Sequence, residues 1–318
     1  MTSTMISAGK ISAHIETDGA NGWCGLRHLE HAASAAEWLL SPAVTLEHYI
    51  GVPPNEPGYV QYEPCYSPRS LHAVRADSCS LRYHPTACSE TTCNINYAIE
   101  PPDAVDIAID VATARRSWPL GSLALFFATI VNAPVYAGVT FRGYDGLRHP
   151  DAGPWIHFNG HAATPGRVVH PSGLANPELR RPQPPPPTYY YADSSVRFDE
   201  PFFFGTVGRL AFAVFFPPPH RQYVRFVVNP LAPAFGGPAW ISSGSFPRRW
   251  PVRPTPCRCE SFCGPSPGLT TCWRPIAPTL ATRPHRPRPR RMEQRRIRTR
   301  VSTRLGTNGW HRPRPPRQ

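Results

Sequence analysis

Residues 105–111, VDIAIDV, alternate strictly: Val105, Ile107, Ile109 and Val111 fall on one face of an extended chain, Asp106 and Asp110 on the other. A strand, whose side chains alternate with period two, places such a run half in a core and half in water. Residues 94–100, NINYAIE, alternate in the same way, and PPDA at 101–104 supplies the turn between the two runs, proline fixing φ and aspartate bonding its own backbone. Together they predict a hairpin. Comparable runs stand at 10–16, 44–50, 59–63, 71–75, 79–83, 122–131, 138–142, 155–158, 188–192, 202–216 and 223–228, broken by Pro, Gly, Asn and Asp. This spacing predicts an all-β fold, a large antiparallel β-sandwich spanning residues 1–240. Two excursions interrupt it, 148–154 and the longer 170–187, whose four consecutive prolines, Pro184 to Pro187, favour an extended polyproline spacer.

Charge divides the chain at the same boundary. Residues 241–318 carry 18 arginines against two acids, a net +16, whereas 1–240 hold 16 basic residues against 19 acids, a net −3. The overall +13 therefore describes the tail and not the body. The tail shows no strand alternation and mixes Arg with Pro, Ser, Thr, Cys and Trp, a composition that predicts a disordered Arg/Pro-rich segment. Two readings of it stay open. One is a genuine basic arm with non-specific contact to polyanions such as nucleic acid, steeply dependent on salt. The other is out-of-frame translation beginning near Trp240, since a chain with 33 Arg and one Lys (Lys10) points to a GC-rich coding sequence. Cys257, Cys259, Cys263 and Cys272 lack the paired short spacing of common zinc knuckles, so no metal is expected.

The N-terminus shows no apolar run behind a basic start, and the longest apolar stretch, residues 123–131, is too short to span a bilayer. A cytoplasmic protein with reduced cysteines and no membrane contact is expected. Phosphate loops, GxGxxG after a strand, GxSxG and CxxC pairs do not occur, and no cofactor is predicted.

Candidate chemistry gathers in three places. In 155–161, WIHFNGH, Trp155 is set beside His157 and His161; on a straight strand the two histidines would lie roughly 13 Å apart, and Gly160 could bend them closer. Ordinary strand histidines are the plainer reading, and an acid/base or hydroxyl-binding role the sharper one. In FRGYDG, Arg142, Tyr144 and Asp145 sit at a glycine-marked strand end, able to engage hydroxyls and to stack a ring, or simply to form a polar turn. Glu63 follows Tyr62 in an alternating run and is either a carboxylate on a solvated strand face or a third acid/base candidate. The phenylalanines Phe202, Phe203, Phe204, Phe215 and Phe216 are expected in the core.

Certain stretches resemble the galactose mutarotase-like supersandwich, the fold of aldose epimerases and of accessory domains in carbohydrate-active enzymes. They are Gly25-Leu26-Arg27-His28-Leu29 followed by Ala36-Glu37-Trp38-Leu39, the successive hairpins from Leu71 to Thr113, and Phe198 to Gly205 leading to Val224-Arg225-Phe226. The resemblance favours strands over a helix at 26–40. Epimerases of that family use two histidines far apart in sequence and a carboxylate near the C-terminal end; His161 corresponds loosely to one histidine, and the basic tail occupies the place of the carboxylate. What the resemblance implies is sugar recognition; with the clustering of polar and aromatic residues at strand ends beside long loops, it suggests Trp155 and Tyr144 stacking on a sugar while Arg142, Asp145, His157, His161 and Glu63 meet its hydroxyls, with catalysis left open. The alternative from another class is a protein-interaction sandwich without a small ligand, using the 182–187 loop or an open sheet edge.

Overall fold

Alternation becomes strand nearly everywhere it was expected. The computed structural model describes residues 3–18, 24–32, 39–60, 62–131, 136–146, 154–159, 167–173, 192–207, 210–232, 237–247 and 295–304. His161, residues 188–191 of the expected 188–192 strand, Ala36 to Trp38, the Pro184 to Pro187 run and the four tail cysteines lie outside them. Among the described residues eighteen strands follow in order: β1 Ser3–Ala8, β2 Ile11–Glu16, β3 Gly25–His31, β4 Leu39–Ile50, β5 Arg69–Arg75, β6 Ser78–Tyr83, β7 Thr91–Glu100, β8 Ala104–Thr113, β9 Ser122–Val131, β10 Val139–Asp145, β11 Trp155–Phe158, β12 Arg167–Pro171, β13 Ala192–Phe198, β14 Phe202–Val207, β15 Leu210–Phe215, β16 Val224–Ala232, β17 Gly237–Pro247 and β18 Arg295–Arg304. Two turns of 3-10 helix, Pro218–Tyr223, precede β16.

Hydrogen bonding arranges them in two layers. One sheet runs β1-β2-β3-β4-β9-β17-β16-β12-β13-β10 and the other β5-β6-β7-β8-β18-β15-β14-β10-β11. All described pairs are antiparallel except β12 with β13. The fold is thus a large all-β sandwich, and the expected 94–111 hairpin forms, with Glu100 opposite Ala104 and Tyr97 opposite Ile107. Expected strands and turns differ at 59–63, which coils instead. There the Glu63 amide bonds the Val60 carbonyl and the Tyr66 amide bonds the Tyr62 carbonyl, while the Tyr62 ring leaves strand geometry to pack on His48 at 4.6 Å.

The core lies between the sheets and takes its inward parity from both: Leu26, Val44 and Leu125 from the first, Leu81, Ile95, Ile107 and Ile109 from the second. At its centre Phe226 of β16 is fully buried, its ring 4.3 Å from Phe198, 5.0 Å from Phe203, 5.7 Å from Phe141 and 6.1 Å from Phe216. Trp240 of β17, equally buried, lies over Gly205 and donates its indole N–H to the Ala137 carbonyl at 2.9 Å. A Cβ at residue 205 would stand 2.0 Å from that indole, so only glycine lets the ring in. A second cluster of buried apolar residues lies on the outer face of the first sheet, with Ala124, Phe126, Ala128 and Ile130 of β9 meeting Ile50, Leu120 and Val227. Strand β9 is therefore buried on both faces, which is why residues 123–131 read as one unbroken apolar run.

Two of these contacts can be tested by stability. Phe226→Ala removes the ring that four others share and is expected to cost about 3–5 kcal/mol, read as a lower denaturant midpoint with unchanged slope. Gly205→Ala, which adds one methyl against a buried indole, is expected to cost about 1–3 kcal/mol by the same measurement.

Candidate functional site

Strand β10 belongs to both layers, and that decides where the candidate residues go. Val139 to Arg142 pair with β11 in the second sheet, with Thr140 also opposite Phe204 of β14. Gly143 to Asp145 pair with β13 in the first sheet. The change occurs at Gly143, whose amide bonds the Pro154 carbonyl at 2.8 Å while the Arg142 carbonyl accepts from the Asp199 amide at 2.8 Å. The β13 backbone comes so close that a Cβ at residue 143 would lie 1.9 Å from the Arg197 carbonyl oxygen. The glycine read as a turn marker is instead the point where one strand passes between two sheets.

Three of the sequence candidates are brought together by this arrangement. Arg142 is the register partner of Trp155, and Thr140 that of His157. Since Val139, Phe141, Ile156 and Phe158 are buried in the core, Arg142, Trp155 and His157 share the outer face of the second sheet at its β11 end. Arg142 is held by Glu200, guanidinium to carboxylate 2.9 Å, and the exposed His157 is held through Nδ1 by the Thr140 hydroxyl at 2.9 Å. An ion pair this open to water is worth at most about 1 kcal/mol, so its effect is to orient Arg142 rather than to stabilise the fold. The Tyr136 ring stands edge-on to His157 at 6.2 Å.

The remaining candidates go elsewhere. Tyr144, half exposed, and Asp145 lie past the sheet change, where Tyr144 is opposite Arg197 and Asp145 accepts the Ser195 hydroxyl at 2.8 Å. Glu63 is not on a solvated strand face: it is 4% exposed and its Oε1 accepts hydroxyls from both Thr86 and Ser89, tying the 51–68 loop to the turn before β7. Those donors make it a buried structural carboxylate within the described residues.

The structure adds aromatic residues to the site. Of the phenylalanines expected in the core, Phe203 and Phe216 are there, but Phe202 and Phe204 are half-buried and Phe215 is 39% exposed. They alternate with the core residues along β14 and β15, and so face outward. Phe202 stacks on Phe215 with ring centroids 5.5 Å apart, and the Trp155 ring stands edge-to-face to Phe202 and Phe204 at 6.3 and 5.9 Å. The result is a platform of Trp155, Phe202, Phe204 and Phe215, with Arg142–Glu200 beside it at one end and Thr140–His157 at the other. The signal was in the sequence: FFFG and LAFAVF with period two cannot bury every ring.

Two further clusters carry chemistry. On the outer face of the first sheet, the Glu16 carboxylate meets Arg27 Nε at 3.1 Å and His14 Nδ1 at 3.3 Å, and His14 stacks on His28 at 5.9 Å. Sequence reading passed over them, although H-I-E in β2 sets His14 and Glu16 on one face. The five body cysteines are buried free thiols. Hydrogen bonding between Cys24 and Cys65 holds the Cys24 thiol below its ordinary range, Arg69 adding to the effect, and pushes Cys65 up. Among the described residues no three His, Cys, Asp or Glu converge as a metal site, and no helix is long and apolar enough to cross a membrane.

No protein-family model matches the chain, and no curated protein matches it. Among solved structures it is similar to that of a candidate aldose 1-epimerase from Escherichia coli K12, over 96% of this chain and 99% of that one, with a TM-score of 0.46 and 8% sequence identity.

If Glu63 is structural, Glu63→Ala leaves the Thr86 and Ser89 hydroxyls without their buried acceptor and costs about 1–3 kcal/mol. Chemical denaturation is the measurement. Glu200→Gln, in contrast, is expected to shift stability by no more than about 0.5 kcal/mol.

Proposed function

We propose that the protein binds carbohydrate on the outer face of its second sheet, through the platform of Trp155, Phe202, Phe204 and Phe215. The observation that supports this most is the arrangement of aromatic rings beside oriented polar groups on an exposed sheet face. Sugars present apolar C–H faces and rims of hydroxyls, and aromatic rings with a neighbouring guanidinium, carboxylate and imidazole match both. Arg142 donates and Glu200 accepts at one end, and Thr140 with His157 does both at the other. The ligand class is carbohydrate, and binding does not require a reaction.

A second reading rests on β5. It forms an outer edge of the second sheet, four of its seven residues are exposed, and Val74 is 62% exposed. An extended partner could add a strand there.

Calorimetry with mono- and oligosaccharides, paired with Trp155→Ala, tests the first reading. Loss of the ring is expected to weaken binding by about 1 kcal/mol or more, roughly fivefold, with thermal stability changed little. His157→Ala should cost about 0.5–1.5 kcal/mol of affinity. No saturable binding across the sugar panel, or equal affinity in Trp155→Ala, removes the platform as the site. Capture of an extended peptide that Val74→Lys abolishes supports the β5 reading instead.

A further inference from the structure

Strand β18 comes from within the basic tail, where no alternation was expected. Its sequence, RRIRTRVSTR, alternates from its second residue on: Ile297, Thr299, Val301 and Thr303 have one parity, shared at the strand's start by Arg295 opposite Val111, and Arg296, Arg298, Arg300, Ser302 and Arg304 have the other. Its backbone fills the gap between β8 and β15 and pairs with both. Along β8, Ile297 is opposite Ile109, Thr299 opposite Ile107 and Val301 opposite Val105, all three of the β8 partners being core residues. Along β15, Val301 is opposite Val214 and Thr303 opposite Phe212, again core residues. The apolar parity of one strand thus agrees with the buried parity of two neighbours that are about a hundred residues apart in the chain.

The other parity carries charge. Arg296 is opposite Asp110 and Arg300 opposite Asp106, the two acids of the VDIAIDV run, with Arg298 opposite Ala108 between them. A slip of one residue would set every arginine of that row at a core position. A slip of two residues in either direction keeps the parity but leaves one Arg–Asp opposition instead of two: Arg298 opposite Asp110 one way, Arg298 opposite Asp106 the other. Opposite charges directly across a ladder favour their register, so the observed pairing is the one that polarity and charge both select.

We propose that the gap between β8 and β15 is a strand-acceptor site, that Asp106 and Asp110 are its selectivity row, and that it takes a strand alternating arginine with β-branched residues, which the chain supplies itself as Arg295–Arg304. An empty gap would divide the second sheet into β5–β8 and β15–β14–β10–β11 and leave two strand edges unpaired. The arginines of 295–304 then serve the fold, and their use is intramolecular rather than contact with nucleic acid. The inference stands whether or not the outer aromatic face binds sugar.

Hydrogen exchange on the full-length chain, followed on peptides covering 104–111, 210–215 and 295–304, is the test. In the unaltered protein all three should be protected together. Asp106→Lys with Asp110→Lys should speed exchange of 295–304 by about tenfold or more, and adding Arg296→Asp with Arg300→Asp should return it to within about threefold. Asp106→Asn with Asp110→Asn avoids like-charge repulsion and should give a smaller increase, so the row is tested even where the reversal fails to fold. Three results overturn the proposal: an unprotected 295–304 in the unaltered chain; protection that neither reversal nor neutralisation changes; and a single-stranded oligonucleotide that protects 295–304 while 104–111 exchanges freely.

Discussion

The whole arrangement turns on one close approach of backbone to backbone, at Gly143. Because residue 143 has no side chain, β10 can leave its pairing with β11 and β14 and meet β13 at a distance that any Cβ would forbid. The two sheets are joined at that point by a continuous strand, and no loop is needed. The same step sorts the polar residues of FRGYDG: Arg142 stays on the second sheet beside Trp155, while Tyr144 and Asp145 pass to the first.

Packing at the join has two consequences that arise from one rule. Along β14 and β15 the inward parity gives Phe203, Phe212 and Val214 to the core, where Phe203 meets Phe226. The outward parity gives Phe202, Phe204 and Phe215 to the other face, where Phe202 stacks on Phe215 and the Trp155 ring stands edge-to-face to Phe202 and Phe204. Single exposed aromatics on a protein surface need no explanation, but a contiguous group does. Here the group borders an oriented ion pair and an oriented imidazole, and the proposal of a binding surface rests on that combination.

Much of the fold was legible because alternation and turn chemistry agree locally. The β7–β8 hairpin is the clearest instance, with both strands and the PPDA turn in their expected places. β9 was legible as a strand but not as one buried on both faces, since its outer face joins Ile50 and Val227, far away in sequence. The run at 59–63 failed because hydroxyls from Thr86 and Ser89, more than twenty residues away, hold Glu63 in a turn. β18 was hidden by composition: its residues alternate from the second on, but they stand in a segment whose arginine and proline content outweighs a local pattern. At the candidate site, Trp155, His157 and Arg142 could be named from the sequence. Their union with Phe202, Phe204 and Phe215 could not, because it depends on β10 lying between β11 and β14.

The central claim is that the outer face of the second sheet is the ligand-binding surface. Hydroxyl-radical footprinting with and without an oligosaccharide measures it directly, residue by residue. The account predicts that bound ligand shields Trp155, Tyr136 and Phe215 from oxidation, while Tyr66 and Met5, exposed on the 51–68 loop and on β1, are oxidised as before. Oxidation of Trp155 and Phe215 that is unchanged at saturating ligand would contradict it.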